Sequence, residues 1–233
     1  MVNIKKAPSL KEQVYDYLRE AILNTDLEIG KLYSDQWVAN NIGVSRTPVR
    51  EAVLQLQHEG LIDVVPYRGF IIKMISKKEI IDIFQLREAI EGFSIRQLII
   101  SKKSSPGNFA DLLHELKKAI KYQEIANQKE DSKDFWNADR LFHESIVKHC
   151  GNKCFNDIYR SHRDKIQLIA LETLKDKNRL YSALSEHRVI VEAIEKGTEL
   201  EAYEKIALHL HSTKSLIMKA LEKYNPGTEA SNN

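Results

Sequence analysis

The sequence predicts a mostly α chain in two parts: an N-terminal winged helix-turn-helix with a small β-hairpin wing, then an antiparallel all-α bundle of about six helices. Three observations carry that prediction. From Ser34 to Phe70, in S-D-Q-W-V-A-N-N-I-G-V-S-R-T-P-V-R-E-A-V-L-Q-L-Q-H-E-G-L-I-D-V-V-P-Y-R-G-F, two short helical patterns meet at a glycine, and two β-like runs follow around a turn. After Ser76 the period changes to helix throughout, with no strand pattern in competition. The length, 233 residues, suffices for two domains with a sizeable core. The expected parts are 1–75, 76–225 and a polar, frayed tail over 226–233.

In the first part, Asp35 to Asn41 reads as a short helix and Gly43 as the sharp turn that ends it. Val38, Ala39, Ile42 and Val44 can pack that helix on the next one. Ser45 suits the N-cap of the second helix, and Pro48 falls in its first turn, where a missing N–H costs little. Val49, Ala52, Val53 and Leu56 recur at three- and four-residue steps and should face the core. Arg46, Thr47, Arg50 and Gln55 then fall nearer the free side. Leu61–Val65 and Phe70–Ile72 read as paired strands, with Tyr67, Arg68 and Gly69 at the tip. Such an order of parts places one helix in the DNA major groove. Arginine at its N-terminal turns suits guanine edges or phosphates; hydroxyls and backbone N–H groups suit phosphates. A helix pair with a surface hairpin, its arginines merely solvated, accounts for the pieces but not for their order.

In the second part, Ser76-Lys77-Lys78-Glu79 reads as a capping box, and Ile80, Ile83, Phe84, Arg87 and Ile90 follow at helical spacing. Pro106-Gly107 breaks the chain. Helices are expected near 77–101, 107–129, 132–150, 154–176, 179–196 and 198–223. Short connections between them favour antiparallel packing.

Charge and composition narrow the function. The formal net charge is +2. Residues 1–75 carry nine Lys/Arg and nine Asp/Glu, so DNA affinity there must come from local placement of charge and should fall with added salt. There is no secretory apolar region and no run long enough to span a bilayer, so a cytoplasmic protein is expected. Cys150 and Cys154, spaced C-x3-C, are expected as free reduced thiols; a metal or redox pair is the weaker reading.

Four polar residues of the second part share the phase of the apolar positions. Asp139 and His143 are four apart, about 6 Å along one helix face. His187 stands three after Leu184 and three before Ile190, and His209 three after Ile206. In a bundle core an unpaired carboxylate and three imidazoles would be costly, whereas a divalent cation would use all four. Each also has a plainer explanation, as a surface ion pair or a core imidazole bonded to a carbonyl. His162 is a fifth candidate by phase, so spacing leaves the ligand set open.

V-S-R-T-P-V-R-E-A, followed by E-G-L-I and P-Y-R-G-F, resembles the GntR family of bacterial transcription regulators. Tyr17 to Leu32 is similar to that family's first helix and following turn. The resemblance covers about the first 75 residues. It implies DNA contact by Ser45, Arg46, Thr47 and Arg50 on the recognition helix, and by Arg68 and Gly69 at the wing tip in the minor groove. Gln36 departs from the Arg common there in the family, so the common family operator does not follow. D-R-L-F-H (Asp139 to His143), C-G-N, E-H-R-V-I and A-Y-E-K-I-A-L-H-L resemble the FCD effector domain of the FadR-type branch. That implies a divalent metal (Zn, Ni or Fe) held by Asp139, His143, His187 and His209, facing a cavity for a small organic acid. Six helices resemble the VanR-like form, and the complete metal set argues against an acyl-CoA ligand. Arg87, in L-R-E-A-I-E, is the expected cation for the effector's carboxylate; a helical pair with Glu91 is the alternative.

The resemblance implies a repressor that binds a roughly palindromic operator as a homodimer and responds to a small carboxylate. Two rivals remain: a regulator for which the ion itself is the signal, and a metal-dependent hydrolase. Val147 stands where H-E-x-x-H needs its second histidine, so no known motif places a general base beside the metal.

Overall fold

The computed structural model describes residues 8–173 and 177–224. The expected tail over 226–233 and the end of the helix expected over 154–176 lie outside them. The chain divides between Ile75 and Ser76 into two compact units.

The first unit opens with α1 (Leu10–Leu23), capped by a reciprocal capping box between Ser9 and Glu12. Val14, Leu18, Ala21 and Ile22 form its buried stripe. The two-residue strand β1 (Leu32–Tyr33) leads into α2 (Asp35–Ile42), which ends at Gly43 with φ 68, a left-handed C-cap that glycine adopts at little cost. In α3 (Arg46–His58) the residues Val49, Ala52, Val53 and Leu56 are buried, as their spacing predicts. β2 (Ile62–Val65) and β3 (Gly69–Ile72) pair antiparallel, with Val64 opposite Phe70 and Val65 opposite Gly69. The sequence predicts a two-stranded hairpin; the structure adds β1 to its free edge, in the order β1-β3-β2. A strand of two residues between Gly30 and Ser34 is too short to show a period. The wing is anchored at Gly69 (φ 131), where a Cβ would lie 2.0 Å from the Tyr33 carbonyl oxygen. No side chain fits there.

The second unit contains α4 (Lys77–Ile100), α5 (Pro106–Gln128), α6 (Ser132–His149), α7 (Lys153–Thr173), α8 (Lys177–Lys196) and α9 (Glu199–Tyr224). Six helices stand where six are expected, and the described ends lie within two residues of the expected ones. Pro106, read in the sequence as a break, is the first residue of α5, where its fixed φ suits a helix start. Ser76 and Glu79 close the capping box of α4. The longest interfaces join α4 to α9 and α5 to α6. Phe135, Phe142 and Ile146 of α6 are fully buried, along with Ile190, Ile206 and Leu210 of α8 and α9. Each such side chain contributes about 1.5–3 kcal/mol of apolar burial. Against that apolar background the same core buries Arg87, Glu91, Gln123, His143, Arg179, His187 and His209.

Candidate metal centre and nucleic-acid interface

Three helices bring the imidazoles together: α6 supplies His143, α8 His187 and α9 His209. One ring nitrogen of each lies within 4.8 Å of those of the others, and all three residues are buried. Phe142 stacks on the His187 ring at a centroid distance of 4.2 Å and fixes one wall. Asp139, one turn before His143, joins the group: its carboxylate oxygens lie 3.6 Å from His187 Nε2 and 3.9 Å from His143 Nε2. His162 does not join. Its Nδ1 approaches the Ile158 carbonyl oxygen one helical turn back, at 2.9 Å.

The outward nitrogen of each imidazole is already engaged. Nδ1 of His143 meets Glu91 Oε2 at 2.6 Å, that of His209 meets Glu186 Oε2 at 2.6 Å, and that of His187 meets Gln123 Oε1 at 2.8 Å. A carboxylate can only accept, so His143 and His209 donate from Nδ1 and aim the lone pair of Nε2 inward. His143 Nε2 is buried without a partner, and His187 Nε2 faces His209 Nε2 at 3.4 Å. Facing lone pairs repel unless something positive lies between them. Two imidazole nitrogens held about 2.1 Å from one ion stand roughly 3.0–3.4 Å apart, so the pocket fits a shared divalent cation.

Two arginines sit behind these imidazoles. Arg87 Nε donates to Glu91 Oε1 at 2.7 Å, with Tyr159 Oη on the same oxygen at 3.2 Å. On the other side Arg179 donates to both oxygens of Glu186 (2.9 and 3.0 Å) and to Thr213 Oγ1 at 2.7 Å. Each arm thus runs arginine, glutamate, histidine. Burial pushes the Glu91 carboxyl up, but Arg87 and His143 beside it outweigh that and hold it at about 2. Burial also raises the Asp139 pKa, only partly offset by His143 and the two arginines. His187 and His209 are lowered well below the usual imidazole value, first by burial and then by the cations and imidazoles around them. Neutral imidazoles are what a metal ion requires.

Sequence reading missed Gln123, Arg179 and Glu186, and named Glu91 only as a helical partner of Arg87. Glu91 and Glu186 fall on the faces of their helices that meet the histidines, but nothing in a single chain says which carboxylates turn inward. Arg87 lies at the site, and its Nε is committed to Glu91, as the alternative held. Arg87 also lines a small cavity with Trp136, Asp139, Arg140, His143 and Tyr159. The free volume of that cavity, about 10 Å³, holds about one water. The indole N–H of Trp136 is buried there without a partner. A larger cleft of about 370 Å³ opens between α5, α6 and α7, and Tyr159 lines both spaces. Cys150 and Cys154 carry free thiols and take no part in the imidazole cluster.

In the first unit Ser45, Arg46, Thr47 and Arg50 are all exposed along the start of α3. Ser45 occupies the N-cap, yet its hydroxyl makes no capping bond. Arg50 Nε donates to Asp35 Oδ2 at 3.1 Å, which orients the guanidinium across α2. Arg68 is exposed at the wing tip, and Gly69 beside it is half-buried against Tyr33. The functional side of Gln55 is modest: it is half-buried and donates to Glu59. The expected contact residues therefore lie on two neighbouring projections of one small unit.

Comparison with known proteins gives two matches along the chain. Residues 10–72 match the model of bacterial regulatory proteins, gntR family, and residues 82–212 match that of the FCD domain. The chain is 25% identical over 213 residues to the HTH-type transcriptional regulator YdhC of Bacillus subtilis, covering 91% of this chain and 92% of that one. It is 26% identical over 182 residues to the gluconate operon transcriptional repressor of the same organism, covering 76% and 72%. Among solved structures it resembles Escherichia coli McbR/YncC, with a TM-score of 0.74, 19% identity and coverage of 94% and 100%. That likeness is one of fold.

Proposed function

Because the chain belongs to the gntR family of bacterial transcription regulators and carries an FCD domain, we propose that it is a repressor released by a small carboxylate bound beside a divalent metal. It is a DNA-binding regulator, not an enzyme. In the proposed reading two copies pair and set two recognition helices on a roughly palindromic operator in the cytoplasm. Ser45, Arg46, Thr47, Arg50, Arg68 and Gly69 form the DNA face. Asp139, His143, His187 and His209 hold a Zn, Ni or Fe ion.

One observation supports the metal most: His143 Nε2 is buried with no partner while its Nδ1 is held by Glu91. When bound, the ion supplies a Lewis-acidic centre to which a carboxylate oxygen can bind. The chain's own residues do the rest. Arg87 offers a fixed positive charge to the ligand's carboxylate, and the unpaired Trp136 N–H a donor. The cavity holds about one water. A carboxylate ligand must therefore move its walls, and it acts only through its different affinity for the open and closed forms. The repressor sign is supported by the gluconate operon repressor among the relatives.

The test combines DNA binding with elemental analysis. Wild-type protein should carry about one ion per chain, and a screen of sugar acids, hydroxy acids and dicarboxylates should find one that weakens operator binding. His143→Ala with His209→Ala should lose the ion and that response while still binding the operator. Unchanged metal content would refute the ligand set. Operator affinity that tracks free metal with no organic acid would favour the ion as the signal.

A further inference from the structure

We propose that Tyr67, at the apex of the wing, is a DNA-contacting residue whose ring lies in the minor groove beside Arg68, against the sugar and base edges flanking the half-site. The proposal rests on the DNA-binding reading above and adds a residue that the family motif does not assign. Its first ground is backbone geometry. Arg68 N–H donates to the Val65 carbonyl at 3.0 Å, closing a four-residue turn with Pro66 and Tyr67 at its centre. Proline fixes a negative φ at the first central position, and Tyr67 has φ 63 at the second. Those signs define a type II turn, whose second central position favours glycine or asparagine because a bulky side chain is strained there. Of the three non-glycine residues with positive φ among the described residues, Thr25, Tyr67 and Glu130, only Tyr67 is aromatic.

The second ground is that no contact among the described residues offsets this strain. Tyr67 is 109% exposed, as open as a residue can be. The other exposed aromatics of this unit, Tyr17 and Trp37, are both 43% exposed, and Trp37 packs on Tyr33 at 5.3 Å. A strained position and a solvated aromatic ring both count against the free protein, so the compensating contact lies outside it. The third ground is placement. Gly69 seats the hairpin on the Tyr33 backbone, and Tyr33 stacks on Phe70 at 5.9 Å, so the tip is held on a rigid base. Arg68, the next residue in the chain, is exposed as well. Arginine is drawn to the negative potential of a narrow minor groove, and an aromatic or apolar neighbour packs on its sugar walls and base edges.

The experiment uses the full chain and an operator selected by the wild-type protein from a random DNA pool, with binding read by fluorescence anisotropy at fixed salt. Tyr67→Asn supplies a residue that the turn accepts. It should weaken operator binding about tenfold, the scale of one lost aromatic–base contact. It should also raise the first thermal unfolding midpoint by roughly 3 °C, because the strain is relieved. Tyr67→Phe keeps the ring and should bind within about twofold of wild type. Opposite changes in affinity and stability would support the inference. Wild-type affinity in Tyr67→Asn would overturn it, and so would weaker binding with a lower midpoint, which marks a folding role. If Arg46→Ala loses binding while Tyr67→Asn does not, the DNA-binding reading stands and this inference falls. If the wild type enriches no sequence, both fall.

Discussion

The two units keep their polar chemistry in opposite states. In the N-terminal unit the groups proposed to meet DNA are exposed: Ser45 has an idle hydroxyl, and Arg46, Thr47 and Arg68 point away from a core that does not need them. In the bundle the groups proposed to meet a metal and an acid are buried or half-buried and tied into bonded chains, from Arg87 through Glu91 to His143 and from Arg179 through Glu186 to His209. The physical reason is the ligand. A phosphate backbone arrives from outside and must find unspent donors. An ion held by imidazoles needs them neutral, aimed and dry before it arrives, which takes a second layer of partners. Function in the first unit is therefore nearly separable from folding, while in the second the two are bound together.

The largest break in that contrast comes from Glu91→Gln. It leaves Arg87 buried without its counter-ion and gives His143 Nδ1 a neutral amide oxygen in place of a charged acceptor. Removing one partner of a buried pair costs about 3–5 kcal/mol. Urea unfolding should show a loss of that size in the bundle transition, together with weaker metal retention, while the first unit melts as before. A loss below about 1 kcal/mol would mean that water reaches Arg87 and that the arm is not the dry support described above.

The same contrast explains what the sequence made legible. The helix-turn-helix is contiguous: Gly43, Ser45, Pro48 and the stripe from Val49 to Leu56 lie within one short stretch, and local propensity agrees with the fold at each step. Phase marked the four proposed metal residues as candidates with His162 beside them, and the resemblance to the FCD domain chose among the five. Their partners could not be picked out in that way. Gln123 is 64 residues from the His187 it touches, and Glu91 is 52 from His143. On a helix wheel these residues look like any polar neighbour of a core position. Only the packing of α4 and α5 against α6 and α8 decides that they turn inward. β1 escaped for a different reason: two residues, Leu32 and Tyr33, cannot show an alternation.

A smaller effect sharpens the comparison from the other side. Arg46→Ala and Arg50→Ala should each weaken operator binding by about 1–3 kcal/mol if they reach base edges. Neither should change folding stability by more than about 0.5 kcal/mol, because both are exposed. Arg50 is the more informative of the two. Its bond to Asp35 holds the guanidinium in place, so Asp35→Ala should reproduce part of the Arg50→Ala loss without removing a positive charge. An equal loss on random DNA would reassign both arginines to phosphates.

The smallest effect sets one residue type at two helix starts. Ser76 caps α4, its hydroxyl accepting from the Glu79 N–H while the Glu79 carboxylate returns to the Ser76 N–H. Ser45 holds the same place before α3 with the same extended backbone (φ −75, ψ 165), but its hydroxyl bonds to nothing in the cap. Ser76→Ala should therefore cost about 1 kcal/mol of bundle stability and leave DNA binding alone. Ser45→Ala should cost a few tenths of a kcal/mol at most and still reduce operator affinity, because the hydroxyl and the first N–H groups of α3 are left for a phosphate. Thermal melting and anisotropy on the two variants separate the cases. If Ser45→Ala melts as much lower as Ser76→Ala does, the hydroxyl caps α3 in solution and is not held in reserve for DNA.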